Sequence, residues 1–372
     1  MSKKRIAIAS VLKPIDDTRS YKKIAQSLAK NSDYSITLVG PSYRTKGNIK
    51  HKKIEAIFTS VGKPLSLRRI YIPLIIGYNL IKLKPHIIIV NSYELLIVMI
   101  INQIIFGSKI VYDIQENYYL NLITQRNYTS LIKYPVAGLI RLKERLTSPF
   151  ITHFILAEKC YSIELPFLGT KYTTIENKAQ KIQLKKNVFG ENEKLKFLFS
   201  GNISSNSGVL RAINFYQSIL PFLPSSHLTV IGHCPSQKLR IQLNEISDET
   251  ITLNISNTPI DHSKIEEEIA NSDFGFVSYE LNQSNQHCMP TKVYEYARNG
   301  LPILSESGTR WSDYIMKNKI GLTTKFDSFD PENTAEKIVT YRDSFVPLEL
   351  ADAKWENEDT KLIDLIDRLV SS

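Results

Sequence analysis

Lys292 and Glu295 stand three positions apart in "CMPTKVYEYARNGLPIL", Cys288–Leu304. Thr291 is expected to cap a helix here, and Gly300 followed by Pro302 to end it. The two charged residues then share one helical face, a turn apart. A carboxylate only accepts hydrogen bonds, so it suits two neighbouring hydroxyls such as a ribose diol. A lysine and the backbone N–H groups of a helix start suit phosphate. The pair therefore fits a nucleoside diphosphate. It also fits a surface salt bridge, and spacing alone favours that plainer reading.

Other residue types point to chemistry at strand ends. Gly201 and Gly208 bracket a loop after "FLFS", with Asn202 inside it. Glycines let backbone N–H groups approach a phosphate closely, although an ordinary turn uses them too. Asp113 and Glu116, in "KIVYDIQEN", follow a strand and are placed to orient a hydroxyl. Asp16 and Asp17 either line the same site or cap a helix. Arg19 either meets a phosphate or pairs with Asp16. His51, His86, His153 and His262 lack partners at metal-ligand spacing and read as structural. No Asp-x-Asp follows a strand, so no metal and no cofactor is expected at a donor site.

These residues need elements to position them. "RIAIAS", "YSITLVG", "HIIIVN", "KIVYDI" and "HFILAE" are apolar runs, most of them separated by helical patterns such as Ser20–Lys30. Continuous Ile/Val runs of this length indicate parallel strands buried on both faces. "ELLIVMIINQIIF" reads as a core helix. A polar, lysine-rich stretch around Lys178–Lys194 reads as a linker. A second series then opens: "LKFLFSGN", "HLTVIGH", "ITLNI", "FGFVSY" and "LPILSE". The expectation is an α/β protein of two Rossmann-like, doubly wound domains, residues 1–182 and 195–350. An amphipathic helix at 351–372 is expected to return toward the first domain. In such sheets ligands sit at the carboxyl ends of the strands.

Composition sets bounds. The chain has 372 residues, 42% hydrophobic and 23% charged, which suits a soluble two-domain protein. Residues 85–106 are the most apolar stretch, but Asn91, Ser92, Glu94, Asn102 and Gln103 interrupt it, against a spanning helix. No secretory leader is apparent, and Cys160, Cys234 and Cys288 are too widely spaced for a disulfide frame. Residues 1–186 carry 30 Lys+Arg against 11 Asp+Glu, a net +19, and the remainder nets −9. That asymmetry points the first half at an anionic partner. Pro64–Lys84, with Arg68 and Arg69, and Tyr134–Leu146, with Arg141, Lys143 and Arg145, mix basic and apolar residues. They suit an interfacial helix on anionic lipid, or a core helix with a solvated basic face. Nucleic acid is not expected, for want of a recognisable binding motif.

"MPTKVYEYARNGLPIL" resembles the signature of glycosyltransferase family 4 and its GT-B relatives: Pro-x-Lys, a helix with an aromatic-Glu-Tyr core, then Gly-x-Pro and a strand. Leu12–Ala29 resembles that family's first loop and helix, Lys109–Asn117 its "YDxHE" segment, and Phe197–Ile213 the loop that opens its nucleotide domain. "VIGHCP" stands where Val-x-Gly-x-Gly-Pro is usual. The resemblance implies a GT-B fold, with two domains facing a cleft. Glu295 would hold the donor ribose, and Lys292 would lie close to the donor phosphates. It further implies a UDP- or GDP-sugar donor, a saccharide or lipid-linked acceptor in cell-surface polysaccharide synthesis, and retention at the anomeric carbon. The expected location is cytoplasmic, peripheral on the inner face of the membrane. The chain departs from the family in three places. His287 stands where many members have a first glutamate. Gln115 replaces the histidine of "YDxHE". The Ser204–Gly208 loop has Asn206 in place of a lysine. Asp113, Glu116 and His287 are the catalytic candidates, and Asp17, Arg19 and Gln115 the acceptor-side ones. The departures leave two alternatives, a GT-B nucleotide-sugar epimerase and a catalytically degenerate, membrane-associated partner of an active transferase.

Overall fold

The computed structural model describes residues 3–42, 49, 51–59, 68–125, 129–181, 194–348 and 350–371, with the side chains of 68–70 outside that description. Most of the expected linker also falls outside it. The chain divides into two units, Met1–Asn177 with Trp355–Ser372, and Lys178–Lys354.

The first unit is built on seven parallel strands: β1 (Lys4–Ala9), β2 (Tyr34–Pro41), β3 (Ile54–Thr59), β4 (Ile87–Val90), β5 (Lys109–Ile114), β6 (His153–Leu156) and β7 (Tyr172–Thr174), in the order β3-β2-β1-β4-β5-β6-β7. The Ile/Val runs read as buried strands are these: all four residues of β4 are buried, and Ile6 to Ala9 with them. Successive side chains take opposite faces. Ile6, Ile8, Ile36, Leu38, Ile87 and Ile89 share one core with Trp355, Leu362, Leu365 and Ile366 of the C-terminal helix Trp355–Ser371. Trp355 Nε1 donates to Ser27 Oγ at 3.1 Å. The segment read as a helix over Ser20–Lys30 begins earlier, capped by Asp17. It is wound as a π-helix over Thr18–Ala25 before a short α turn, Gln26–Leu28.

Three helices of this unit form a connected layer: α1 (Arg68–Leu83) against β1, β2 and β3, α2 (Leu96–Phe106) against α1 and β5, and α3 (Ser130–Thr147) against α2. α1 buries Ile72, Ile76 and Leu80 at four-residue spacing, the stripe expected of a helix on a sheet. The core-helix reading of α2 holds for one side only. It buries Leu96, Met99 and Asn102 but leaves Ile97, Ile101, Ile104 and Ile105 exposed. Its composition is apolar all round, so sequence alone does not reveal that only one side is covered.

The second unit holds six parallel strands: β8 (Lys196–Asn202), β9 (His227–His233), β10 (Ile251–Ser256), β11 (Phe274–Val277), β12 (Ile303–Glu306) and β13 (Gly321–Thr324), in the order β10-β9-β8-β11-β12-β13. Its core is aromatic. Phe197 stacks on Phe274 and Phe276, and Phe215 of α4 (Val209–Ile219) stacks on Phe326 and Phe329. α5 (Thr291–Arg298) lies over β11, where a Cβ on Gly275 would come within 2.4 Å of the Tyr296 ring. That bare position lets the helix approach the strand. In each sheet the strand order reverses once, between β1 and β4 and between β8 and β11. Ligand crevices of open α/β sheets form outside the carboxyl ends at such switch points.

Candidate functional site

At the switch point of the second unit, β8 ends in Ser200, Gly201 and Asn202, and β11 is followed by Ser278 and Tyr279. The loop after β8 is shaped by Ser204, whose side chain and backbone exchange hydrogen bonds with Ser207. Gly208 then turns the chain into α4 at φ +75°. A Cβ there would lie 1.7 Å from the Ser278 carbonyl oxygen, while Ser278 Oγ donates to Gly208 O at 2.8 Å. Only glycine satisfies both the left-handed backbone and that contact.

α5 brings Lys292 to this point. Tyr296 anchors the helix from below, its hydroxyl 2.8 Å from Ser200 Oγ. Gly300, at φ +67°, ends the helical segment as expected. Thr291 is not the cap. Pro290 occupies that position, and no side chain caps the helix. Proline's fixed φ starts the first turn, so Thr291 becomes its first helical residue. Lys292 is 4% exposed, and its Nζ has no hydrogen-bond partner among the described residues. The ammonium sits 3.7 Å from the Phe199 ring centroid and 5.2 Å from that of Tyr279. Its Cε lies 3.6 Å from where a Gly201 Cβ would be. Burial pushes its pKa down to about 7, with the Glu295 carboxylate pulling the other way. The pair is therefore no surface salt bridge: one partner is buried, the other, Glu295, half-buried. Sequence reasoning does not single out Phe199 and Tyr279. Their signal is position, inside one switch-point strand and just past the other.

His287 lies on an exposed loop, and its backbone oxygen accepts from Arg310 Nη1. Asn202 is exposed at the end of β8. Arg211, at the start of α4, is held between two carboxylates, 2.7 Å from both Glu306 and Asp327.

In the first unit the switch point gathers the acceptor-side candidates. Arg19 does not pair with Asp16. It forms a buried two-pronged ion pair with Asp113, Nη2–Oδ1 2.6 Å and Nε–Oδ2 2.9 Å, and also donates to Ile175 O. Burial works against the Arg19 charge, but Asp113 outweighs it and raises the pKa. Gln115 Nε2 donates to Asp113 Oδ2 at 2.7 Å, so both Asp113 oxygens are engaged. Lys13 bridges Gln115 Oε1 and Glu116, at 3.0 and 2.7 Å. Lys13 also holds the Glu116 carboxyl below its ordinary range, and Glu116 keeps about a third of its surface exposed. Asp17 caps the π-segment by accepting from Ser20 N at 2.5 Å. Burial raises its pKa against that bond. Asn121 Nδ2 donates to the other Glu116 oxygen at 2.8 Å, so both carboxylates are hydrogen-bonded, Asp113 buried and Glu116 partly exposed.

Arg68 and Arg69 lie at the start of α1, their side chains outside the described residues. Arg141 and Lys143 turn inward: Arg141 Nη2 donates to Asn117 Oδ1 at 2.5 Å, and Lys143 Nζ to Glu94 O at 3.2 Å. Arg145 is exposed.

No protein-family model and no curated protein matches the sequence. Solved structures do match across essentially the whole chain. HepE of Anabaena, in complex with UDP and glucose, shares 11% identity over 100% of both chains at a TM-score of 0.66. Sucrose-phosphate synthase of Thermosynechococcus elongatus shares 12% over 99% of this chain and 100% of its own, at 0.67. WaaG, a glycosyltransferase involved in lipopolysaccharide biosynthesis, shares 14% over 96% and 95%, at 0.62. The fold is GT-B, with two Rossmann-like domains of parallel sheet.

Proposed function

We propose that this protein is a glycosyltransferase that moves a sugar from a UDP- or GDP-sugar to a saccharide or lipid-linked acceptor in cell-surface polysaccharide synthesis. The observation that carries the donor assignment is Lys292, a buried ammonium without a hydrogen-bond partner among the described residues, beside Gly201 at a switch point. A buried charge of that kind is costly unless something anionic completes it. A donor diphosphate at the β8 loop does so, and Lys292 then stabilises the leaving diphosphate as the sugar departs. No metal is given a part. Glu295 takes the ribose diol. Glu116, with Lys13 beside it, orients the acceptor hydroxyl in the first unit. Retention at the anomeric carbon is the course we assign.

The test is thermal stability against a panel of nucleotides and nucleotide sugars, in wild type and Glu295→Ala. Ligand at a hundred times its dissociation constant stabilises by about 2.7 kcal/mol. A shift with one nucleoside diphosphate, lost in Glu295→Ala, is the expected result. No shift across the panel with folded protein overturns the reading. Donor turnover without acceptor would replace it with an epimerase, and binding without any turnover with a degenerate partner.

We also propose that the α1–α2–α3 layer rests on an anionic membrane surface. Of the 25 exposed large apolar side chains among the described residues, 16 lie on these three helices. They form helical stripes: Tyr71, Leu74, Tyr78 and Ile81 on α1; Ile97, Ile101 and Ile104 on α2; Leu139, Leu142 and Leu146 on α3. An exposed apolar area of this extent marks an interaction surface. Lys82 and Arg145 supply exposed positive charge near the ends of α1 and α3, which suits anionic headgroups. No helix among the described residues is long and apolar enough to cross a membrane. Ile104→Glu with Leu139→Glu is expected to abolish sedimentation with phosphatidylglycerol vesicles while leaving nucleotide-induced stabilisation intact. Unchanged sedimentation would exclude this face.

A further inference from the structure

The amino ends of the first unit's strands, opposite the switch point, carry a second feature that the transfer reaction does not use. A cavity of about 410 Å³ opens there. Lys4, Arg5, Lys84, His86 and Lys109 line it, and no carboxylate among the described residues does. Four Lys/Arg side chains bring like charge to one hollow beside His86, and like charges disfavour one another. The effect is felt within the cluster: burial lowers the His86 pKa, and the charges of Arg5 and Lys4 lower it further.

Arg5, Lys84 and Lys109 are held by contacts within the unit. Arg5 Nε and Nη2 both donate to the Lys84 carbonyl oxygen, at 3.0 and 2.9 Å. Lys84 adopts φ +46°, one of two non-glycine residues with positive φ among the described residues, a conformation that persists only where surrounding contacts hold it. Its Nζ lies 5.6 Å from the Phe106 ring centroid, at the foot of α2. Lys109 Nζ donates to Leu369 O at 2.6 Å, tying the C-terminal helix into the wall. Phe106, Leu369 and Val370 make the remaining wall apolar.

We propose that this cavity binds a phosphate group, free or carried by a lipid. Several cations around one hollow suit a multiply charged anion, and the apolar wall accepts a stem attached to it. The assignment is independent of the donor site, which lies in the other unit.

The experiment compares wild type with Lys4→Gln/Lys84→Asn. Asparagine tolerates a left-handed backbone, so the change removes charge without opposing φ. Lys52→Gln/Lys171→Gln, which removes the same charge elsewhere, is the control. Full-length protein is titrated with inorganic pyrophosphate, and separately floated with phosphatidylcholine vesicles with and without phosphatidic acid. A loss of pyrophosphate affinity of tenfold or more in the cavity variant alone supports a soluble phosphate. Unchanged pyrophosphate binding with loss of phosphatidic-acid-dependent flotation, again in the cavity variant alone, supports a lipid headgroup. If cavity and control variants behave alike in both arms, the proposal is overturned. Should the double variant fail to fold, Lys4→Gln alone carries the same comparison. Nucleotide-induced stabilisation stays at the wild-type level throughout, which separates this site from the donor reading.

Discussion

Lys292→Met is expected to make the ligand-free protein more stable and to weaken its affinity for nucleoside diphosphates. The two effects share a cause. A lysine with its pKa brought from 10.5 to about 7 carries a penalty on the order of 4–5 kcal/mol against its charged form. Methionine has a similar length and no charge, and it suits the Phe199 and Tyr279 rings that already surround the ammonium. The sign with pH follows. In the unfolded chain the lysine stays protonated up to about pH 10, whereas in the folded chain it releases its proton near 7. The unfolded state therefore binds more protons between those values, and stability rises with pH across that window. Denaturant unfolding at several pH values should show this slope in wild type and a flatter profile in Lys292→Met. Binding reverses the preference, since a diphosphate favours the ammonium. Calorimetry near pH 8 in buffers of different ionisation enthalpy should then register proton uptake. Losing a charge-assisted contact of about 1.5–3 kcal/mol costs roughly tenfold to a hundredfold in affinity. Undiminished affinity in Lys292→Met would remove the lysine from the donor site.

Asp113→Asn should destabilise the first unit severely. Asp113 and Arg19 are 1% and 4% exposed, and the carboxylate is the only acid bonded to that guanidinium among the described residues. An arginine cannot shed its proton to escape, so the asparagine leaves a buried, uncompensated charge. Breaking such a pair typically costs about 3–5 kcal/mol. The double replacement Arg19→Met/Asp113→Leu should recover much of the loss, because it removes both charges together. A single Asp113→Asn that unfolds at the wild-type denaturant midpoint would show that the pair is not structurally important.

Much of this molecule can be read from its sequence, for identifiable reasons. Both sheets are legible because β4 and its neighbours are unbroken Ile/Val runs, the mark of strands covered on two faces. Lys292 and Glu295 stand out by spacing. Spacing places both on one helical face but does not say how deep that face lies, so the salt bridge looks the plainer choice. Depth comes from Gly275, which lets Tyr296 sink α5 onto β11. The Arg19–Asp113 pair joins positions far apart in the chain, and local pattern points to Asp16 instead. α2 misleads for the opposite reason: a helix apolar on every side looks the same whether it is buried or lies on something outside the chain. The basic stretch of α3 likewise conceals that Arg141 and Lys143 turn inward while leucines face out.

The first unit is assembled from two segments separated by the whole of the second, since Trp355, Leu362, Leu365 and Ile366 complete the core begun by Ile6 and Ile8. The consequence is an order of events during synthesis. The middle unit, Lys178–Lys354, is a continuous segment and can close as soon as it leaves the ribosome. The seven-stranded sheet precedes it in the chain yet waits, one apolar face uncovered, until the helix that begins at Trp355 is released. A chain stalled or truncated before Trp355 would present a finished second unit and an unfinished first one, with the Ile6 and Ile8 face open to chaperones and to other copies of itself.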